Sequence, residues 1–265
     1  MLLSASDRQA TSACYPRLML LKLRHSFQHL LRRHGIEVRK TPSAYEPLPV
    51  FDLAVQALMA QRGEALSFVQ IGANNGIDGD PLRRYIVKHP WRGVLVEPQP
   101  NVFALLMANY ANCAGRLAFE NVAISRGGSL VLYLPPKDWP RDADGVTYVS
   151  GVPSVLARQI NVPESTLTRI EVPSMTLDAL FAKHGIEQLD LLQIDTEGFD
   201  WEVLQTIDLA RFKPAIIHIE TGHLSRDALA KVAAHLNRAD YLFYYGGWQG
   251  DSVAMRRDVF PADSQ

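Results

Sequence analysis

The stretch FVQIGANNG, Phe68 to Gly76, constrains the fold of this chain more than any other. An apolar run (Phe68, Val69, Ile71) stops at Gly72, and Gly76 follows four residues on. The pattern reads as a buried parallel strand running into a tight turn and then a helix. Glycine has no side chain in the way, so such a turn lets backbone come close to a ligand. A second run, GVLVEP, has the same character and carries Glu97 at its carboxyl end. In open α/β sheets ligands bind at those ends, where the strand order reverses. An acid there can accept hydrogen bonds from the two hydroxyls of a ribose, so the first expectation is a nucleotide-like ligand.

The rest of the chain supports a sheet of that kind. From Phe68 onward strands and helices alternate: strands at Phe68–Ile71, Gly93–Val96, Leu117–Ile124, Leu189–Ile194 and Ala215–Ile219, with helices at Pro81–His89, Val102–Tyr110, Thr176–His184, Trp201–Arg211 and from Ser225 to about Arg238. Leu130–Leu134 is expected to hairpin onto the third strand, Thr168–Val172 reads as a further strand, and Tyr241–Tyr245 with Ser252–Arg256 as a terminal hairpin. Before the alternation, Phe51–Arg62 has helical period and stops at Gly63. Residues 1–50 form an N-terminal extension and linker: basic between about 15 and 40 with interleaved leucines, then three prolines in Thr41–Pro49. The extension is read as a helix docking on the domain, or else as a membrane-surface or partner-binding helix. Residues 51–265 are read as one domain, and 135–164, rich in Pro, Gly and Asp, as a lid or substrate insert within it.

Composition narrows the function classes. The 265 residues are 47% hydrophobic and carry a net charge of −1, which suits a globular domain and gives bulk charge no reason to seek nucleic acid. The two cysteines, Cys14 and Cys113, have no metal-type spacing, and a reducing, cytoplasmic setting is expected. No run reaches the roughly 18–20 apolar residues of a membrane span. The start lacks the pattern of a cleaved signal peptide. A homo-oligomer is left open.

The turn itself sorts nucleotide ligands. In G-x-G-x-x-G the second glycine lets backbone approach a pyrophosphate. Here that position is Asn74, and the third is Ile77. No phosphate-cradling G-x-x-x-x-G-K-[ST] loop occurs either. An NAD-linked oxidoreductase is therefore disfavoured, and a nucleoside with an amino-acid tail, as in S-adenosylmethionine, fits better.

The blocks FVQIGANNGIDGDPLRRYIV, WRGVLVEPQPNVFALLMANY, AFENVAIS, MTLDALFAKHGIEQLDLLQIDTEGFDWEVLQTID and PAIIHIE, in this order, resemble the FkbM-type S-adenosylmethionine-dependent methyltransferases. The combination of IGANNG, LVEPQP and LLQIDTEGFD is specific, and the blocks cover most of Phe68 to Glu220. The resemblance implies a Rossmann-like class I sheet: α/β, seven-stranded, mostly parallel, with an antiparallel last strand and helices on both faces. It implies methyl transfer, usually to a hydroxyl of a sugar, glycan, polyketide or other small molecule. A catalytically silent methyltransferase-like binding or scaffold module is the alternative.

On that reading Gly72, Ala73 and Asn75 hold the methionine part through backbone groups, where a structural turn is the plainer account. Glu97 takes the ribose hydroxyls, and Pro98 and Gln99 border the adenine. Asn121 and Ala123 flank the adenine or simply pack the third strand. Asp195, ending an apolar strand, holds the cofactor's ammonium or orients the acceptor. Glu197 joins it or caps the next helix, and Asp200 and Glu202 suit that helix's dipole. His218 and Glu220 share a strand face, with His218 a hydrogen-bonded core residue. Oxygen methylation needs alignment of the acceptor and often a base. His223 is the preferred base, with Glu220 or Asp195 next. The same side chains allow a second chemistry, in which Asp195, Glu197, Glu220 and His223 ligate a divalent ion such as Mg²⁺.

Overall fold

The computed structural model describes residues 49–139, 148–246 and 251–260. The basic N-terminal segment, and so the reading of it as a helix, lies outside the described residues. The main sheet has seven strands in the spatial order β3-β2-β1-β7-β8-β10-β9. They are β1 (Ser67–Ile71), β2 (Arg92–Val96), β3 (Leu117–Glu120), β7 (Leu191–Ile194), β8 (Ile216–Glu220), β9 (Tyr241–Tyr244) and β10 (Asp251–Arg256). β3, β2, β1, β7 and β8 run parallel, and β10 enters antiparallel to both β8 and β9. This is the expected class I methyltransferase sheet. The order reverses at β1, where chain continuity moves from the β2 side to the β7 side.

Alternate residues of the central strands feed two cores. Phe68, Leu95, Leu191, Ile216 and Val253 pack with α1 (Val50–Arg62), α2 (Arg83–Lys88) and α3 (Pro100–Asn109). Val69, Ile71, Val94, Leu192, Ile194, Ile217 and Ile219 pack with α5 (Leu177–Lys183), α6 (Asp200–Leu204) and α7 (Arg226–Arg238). A parallel strand covered on both faces must be apolar at nearly every position, which is why these runs read so clearly in the sequence. α1 buries Phe51, Ala54, Val55, Leu58 and Met59, one stripe at helical spacing, and ends where Gly63 takes φ +88°. The cap residues act as expected: Thr176 Oγ1 accepts from Ala179 N (3.1 Å) and Ser225 Oγ from Ala228 N (3.2 Å).

Two expectations fail. Leu130–Leu134 does not hairpin onto the third strand. It belongs to β5 (Gly128–Leu134), which pairs antiparallel with β6 (Thr168–Met175) in a separate three-stranded sheet ordered β4-β6-β5, with β4 being Ala123–Ile124. The chain leaves the main sheet after Glu120, and Gly127 and Gly128, at φ +96° and +85°, turn it toward a partner distant in sequence. The helix expected over Trp201–Arg211 stops at Leu204. Asp208 competes with it, its carboxylate accepting from Ala210 N (3.0 Å) and Arg211 N (3.1 Å) to form a tight turn.

The 135–164 segment is partly regular. Ser150 bridges Tyr133, and α4 (Pro153–Ile160) buries Val155, Leu156, Ala157 and Ile160. No described helix is long and apolar enough to cross a membrane.

Candidate functional site

The turn after β1 is fixed by backbone. Val96 O accepts from Gly72 N (3.0 Å) and Ala73 N (2.9 Å), and Ala73 O accepts from Gly76 N (3.0 Å). Gly72 has φ +78°, and a Cβ there would lie 1.7 Å from Asp195 O, so the end of β1 meets the end of β7 at glycine distance. Buried Asn75 staples the turn: its Oδ1 accepts from Ile77 N and Asp78 N (both 2.9 Å), and its carbonyl accepts from Asn109 Nδ2 (2.9 Å).

Glu97, at the end of β2, faces this turn. Its Oε2 accepts from Asn74 N (3.0 Å) and its Oε1 from Gln99 N (2.8 Å). Burial pushes its carboxyl up to about 7 against those two donors. Asn121 does not present its amide to the opening: it donates to Glu97 O (2.8 Å) and Pro98 O (3.1 Å), holding the 97–98 backbone in place. Ala123 lies in the second sheet, buried with Leu132 and Val172. Asp80 caps the following helix, accepting from Leu82 N (2.8 Å) and Arg83 N (3.1 Å), and also accepts from Gln70 and Tyr110.

The ends of β7 and β8 carry the other half. Asp195 N donates to Ile71 O (3.0 Å), and the Asp195 side chain shares a hydrogen bond with Glu220. Both carboxyls are raised far above the carboxylate range, first by burial and then by surrounding acids. Glu197 occupies the left-handed region at φ +53°, with Gly198 beside it at +97° packed against Val155 of α4. Asp200, expected as a first-turn acid suited to the helix dipole, is fully buried and also holds this turn, accepting from Thr196 N (2.8 Å) and Gly198 N (3.0 Å); burial raises it to about 6.

His223 Nε2 lies 3.2 Å from both Glu197 Oε2 and Glu220 Oε1. The hydrogen bond to Glu197 raises the His223 pKa against the opposing effect of burial. Glu197, Glu220 and His223 place one ligand atom each within 4.8 Å of one another, and Asp195 is bonded to Glu220 beside this trio. Gln159 of α4 donates to Glu197 Oε2 (3.0 Å), and Ser150 Oγ to Glu197 O (2.6 Å), so residues 150 and 159 contact this half.

Sequence reasoning missed Asp251. It sits opposite Glu220 in the β10–β8 register and is raised by burial and by Asp200 and Glu197 to about 7. Nothing in its own neighbourhood marks it: only the antiparallel pairing brings it to the strand end. His218 is the core residue expected, bonded to Gln193, with Phe51 against its ring at 4.2 Å, and pushed by burial down to about 4.

No curated protein matches the sequence. Solved structures with similar folds include a methyltransferase FkbM from Methylobacillus flagellatus KT (15% identity, TM-score 0.47), and this chain, matched over 72% of its own length, spans 44% of that one. The N-terminal domain of human METTL16 is 12% identical with a TM-score of 0.47, over 86% of this chain and 78% of that one. A methyltransferase from Geobacter sulfurreducens is 12% identical with a TM-score of 0.42, over 88% and 87%. A model of the methyltransferase FkbM domain matches residues 70–243, well over half of the sequence, and the chain belongs to that family.

Proposed function

We propose that this methyltransferase uses S-adenosylmethionine to methylate a hydroxyl of a sugar, glycan or other small molecule. The observation that carries this is the meeting, at one edge of the sheet, of the glycine turn with Glu97 and of both with the Asp195–Glu220–His223 cluster. The residues fit the cofactor. A glycine turn packed directly on the end of β7 lies beside a buried carboxylate suited to a diol, and acids suited to a cationic ligand stand next to it. When bound, the cofactor supplies an electrophilic methyl group on a sulfonium. Glu97 takes the ribose, and the closely packed backbone of Gly72, Ala73 and Asn75 lines the methionine part. Pro98 borders the adenine, with Asn121 holding its backbone; Ala123 lies beyond, in the second sheet. Asp195 receives the ammonium or orients the acceptor.

Catalysis is then mainly alignment. An acceptor hydroxyl would be aligned with the methyl group that the cofactor supplies, and His223 would take the hydroxyl proton. Glu197 stabilises the imidazolium that forms. The 135–164 segment, through Ser150 and Gln159, forms the acceptor wall. The converging ligand atoms of Glu197, Glu220 and His223 favour a second reading of the same atoms, in which a divalent ion such as Mg²⁺ acidifies the hydroxyl.

Calorimetry with S-adenosylhomocysteine tests the cofactor, and a transfer screen over sugars, glycans, small hydroxylated molecules and an RNA oligonucleotide tests the acceptor. Binding followed by methylation of a hydroxyl is expected. Binding with no transfer to any acceptor favours the silent module. Activity unchanged by EDTA, with no metal in the purified protein, removes the metal reading.

A further inference from the structure

Glu197 sits in a backbone region that a side chain seldom takes, at φ +53°. Ser150 Oγ donates to its carbonyl (2.6 Å), Asp200 accepts from Thr196 N and Gly198 N on either side, and Gly198 packs against Val155. The backbone is thereby set, but the Glu197 side chain is 28% exposed and has several rotatable bonds. Gln159 settles where it points. Gln159 Nε2 donates to Oε2 (3.0 Å), the same oxygen that lies 3.2 Å from His223 Nε2. A carboxylate oxygen has two lone-pair sites, so it takes both donors at once. Packing alone does not account for an amide at position 159. Among the described residues its one side-chain hydrogen bond is the one to Glu197, and its Oε1 is buried without a partner. A methionine would fill the same volume without an unsatisfied acceptor.

We propose that Gln159 is a positioning residue for His223: it holds Glu197 Oε2 against His223 Nε2, so that the neutral ring keeps its proton on Nε2 and its lone pair on Nδ1, the atom that takes the acceptor proton. The inference rests on the reading of His223 as the base. The two ring nitrogens are distinct, and the bond that one makes fixes the role of the other. Glu220 does not replace Glu197 in this. It also lies 3.2 Å from Nε2, but burial and the acids around it push its carboxyl up to about 11, so it is uncharged near neutrality. A protonated carboxyl can donate to Nε2 as well as accept from it. With Glu197 free to swing away, the opposite tautomer forms, and the lone pair faces the acids instead of the acceptor.

The test is two-bond proton–nitrogen NMR of the histidine rings in the metal-free protein, at a pH where His223 is neutral, with His223→Asn assigning its signals. The intact protein should show His223 protonated on Nε2 alone, and Gln159→Met should show both tautomers. On the acceptor found by the transfer screen, Gln159→Met should lower kcat about ten-fold and change KM less than about two-fold, as loss of a bond to a charged group that orients the base does. In a Glu197→Ala background it should cost nothing further. Its thermal unfolding should stay within about 2 °C of the intact protein, which keeps misfolding apart from lost positioning. A ring protonated on Nδ1 in the intact protein, or a tautomer that Gln159→Met leaves unmoved, overturns the proposal. So does a rise in KM with kcat unchanged, which would make Gln159 an acceptor contact only. The spectra need neither cofactor nor acceptor. Failure of the unaltered protein to bind S-adenosylhomocysteine or to methylate any acceptor would instead overturn the reading of the site, a result obtained without any variant.

Discussion

At the end of β1, the turn through Gly72 and Gly76 is tied to its neighbours by main-chain hydrogen bonds and by the Asn75 side chain. At the ends of β7 and β8, Asp195, Glu197, Glu220 and Asp251 crowd together, and His223 lies between two of them. The first half is held in shape by its own main-chain and side-chain hydrogen bonds. The second is self-repelling, and a cation or a proton relieves it. Binding sites benefit from the former arrangement, since less ordering remains to be done on association. Chemistry benefits from the latter, since perturbed ionisable groups are the ones that exchange protons near neutrality.

The largest expected effect strikes the first half. Gly72→Ala puts a Cβ against Asp195 O in a backbone region that disfavours side chains, and should cost about 3 kcal/mol or more, read by urea unfolding. A loss under about 1 kcal/mol would mean that the turn is not rigid, and the contrast between the halves would fail.

Glu97→Gln should come next. It removes the charge and leaves an acceptor for only one of the two backbone donors, so S-adenosylhomocysteine should bind about 10–100-fold more weakly, with a loss of about 1–3 kcal/mol in unfolding. Unchanged binding would move the ribose elsewhere.

The smallest effect concerns the second half and pH. Asp195, Asp200, Glu220 and Asp251 hold their protons more tightly folded than unfolded. The stability this contributes is complete below the ordinary carboxylate range and is lost as pH rises through the folded values, about 6 for Asp200 and about 7 for Asp251. His223, raised as well, acts in the same direction. His218, lowered to about 4, acts oppositely, favouring the fold as pH rises from there toward 6.5. The acids outnumber it, so the free protein should lose stability between about pH 5 and pH 8. Glu220→Gln should flatten that slope and add about 1 kcal/mol at the upper end, while lowering turnover. Stability that rises over the same interval would show the second half to be satisfied like the first.

How much was legible in the sequence differs between the same two regions. The cofactor half was readable because its parts are nearly contiguous: IGANNG and LVEP each carry their strand, turn and acid within a few residues. Glycine at Gly72 and an acid at Glu97 are demanded by local geometry. The other half was readable only in pieces. Asp195, Glu197 and Glu220 showed as strand-end acids, but their convergence on His223 depends on β7 and β8 being neighbours. Asp200 read as a first-turn helix acid, which it is, but its burial comes from the turn it closes and did not show in the sequence.

Periodicity and glycine placement thus determined the sheet, its buried strands and the strand ends that carry the candidate site, since these follow from which residues can line a pleated strand or a sharp turn. Register and long-range pairing decided the rest: β5 with β6 instead of β3, Asp251 opposite Glu220, and α4 beside Glu197. Those contacts join residues far apart in the chain, where no local preference favours one partner over another and only burial of the assembled surfaces selects among them.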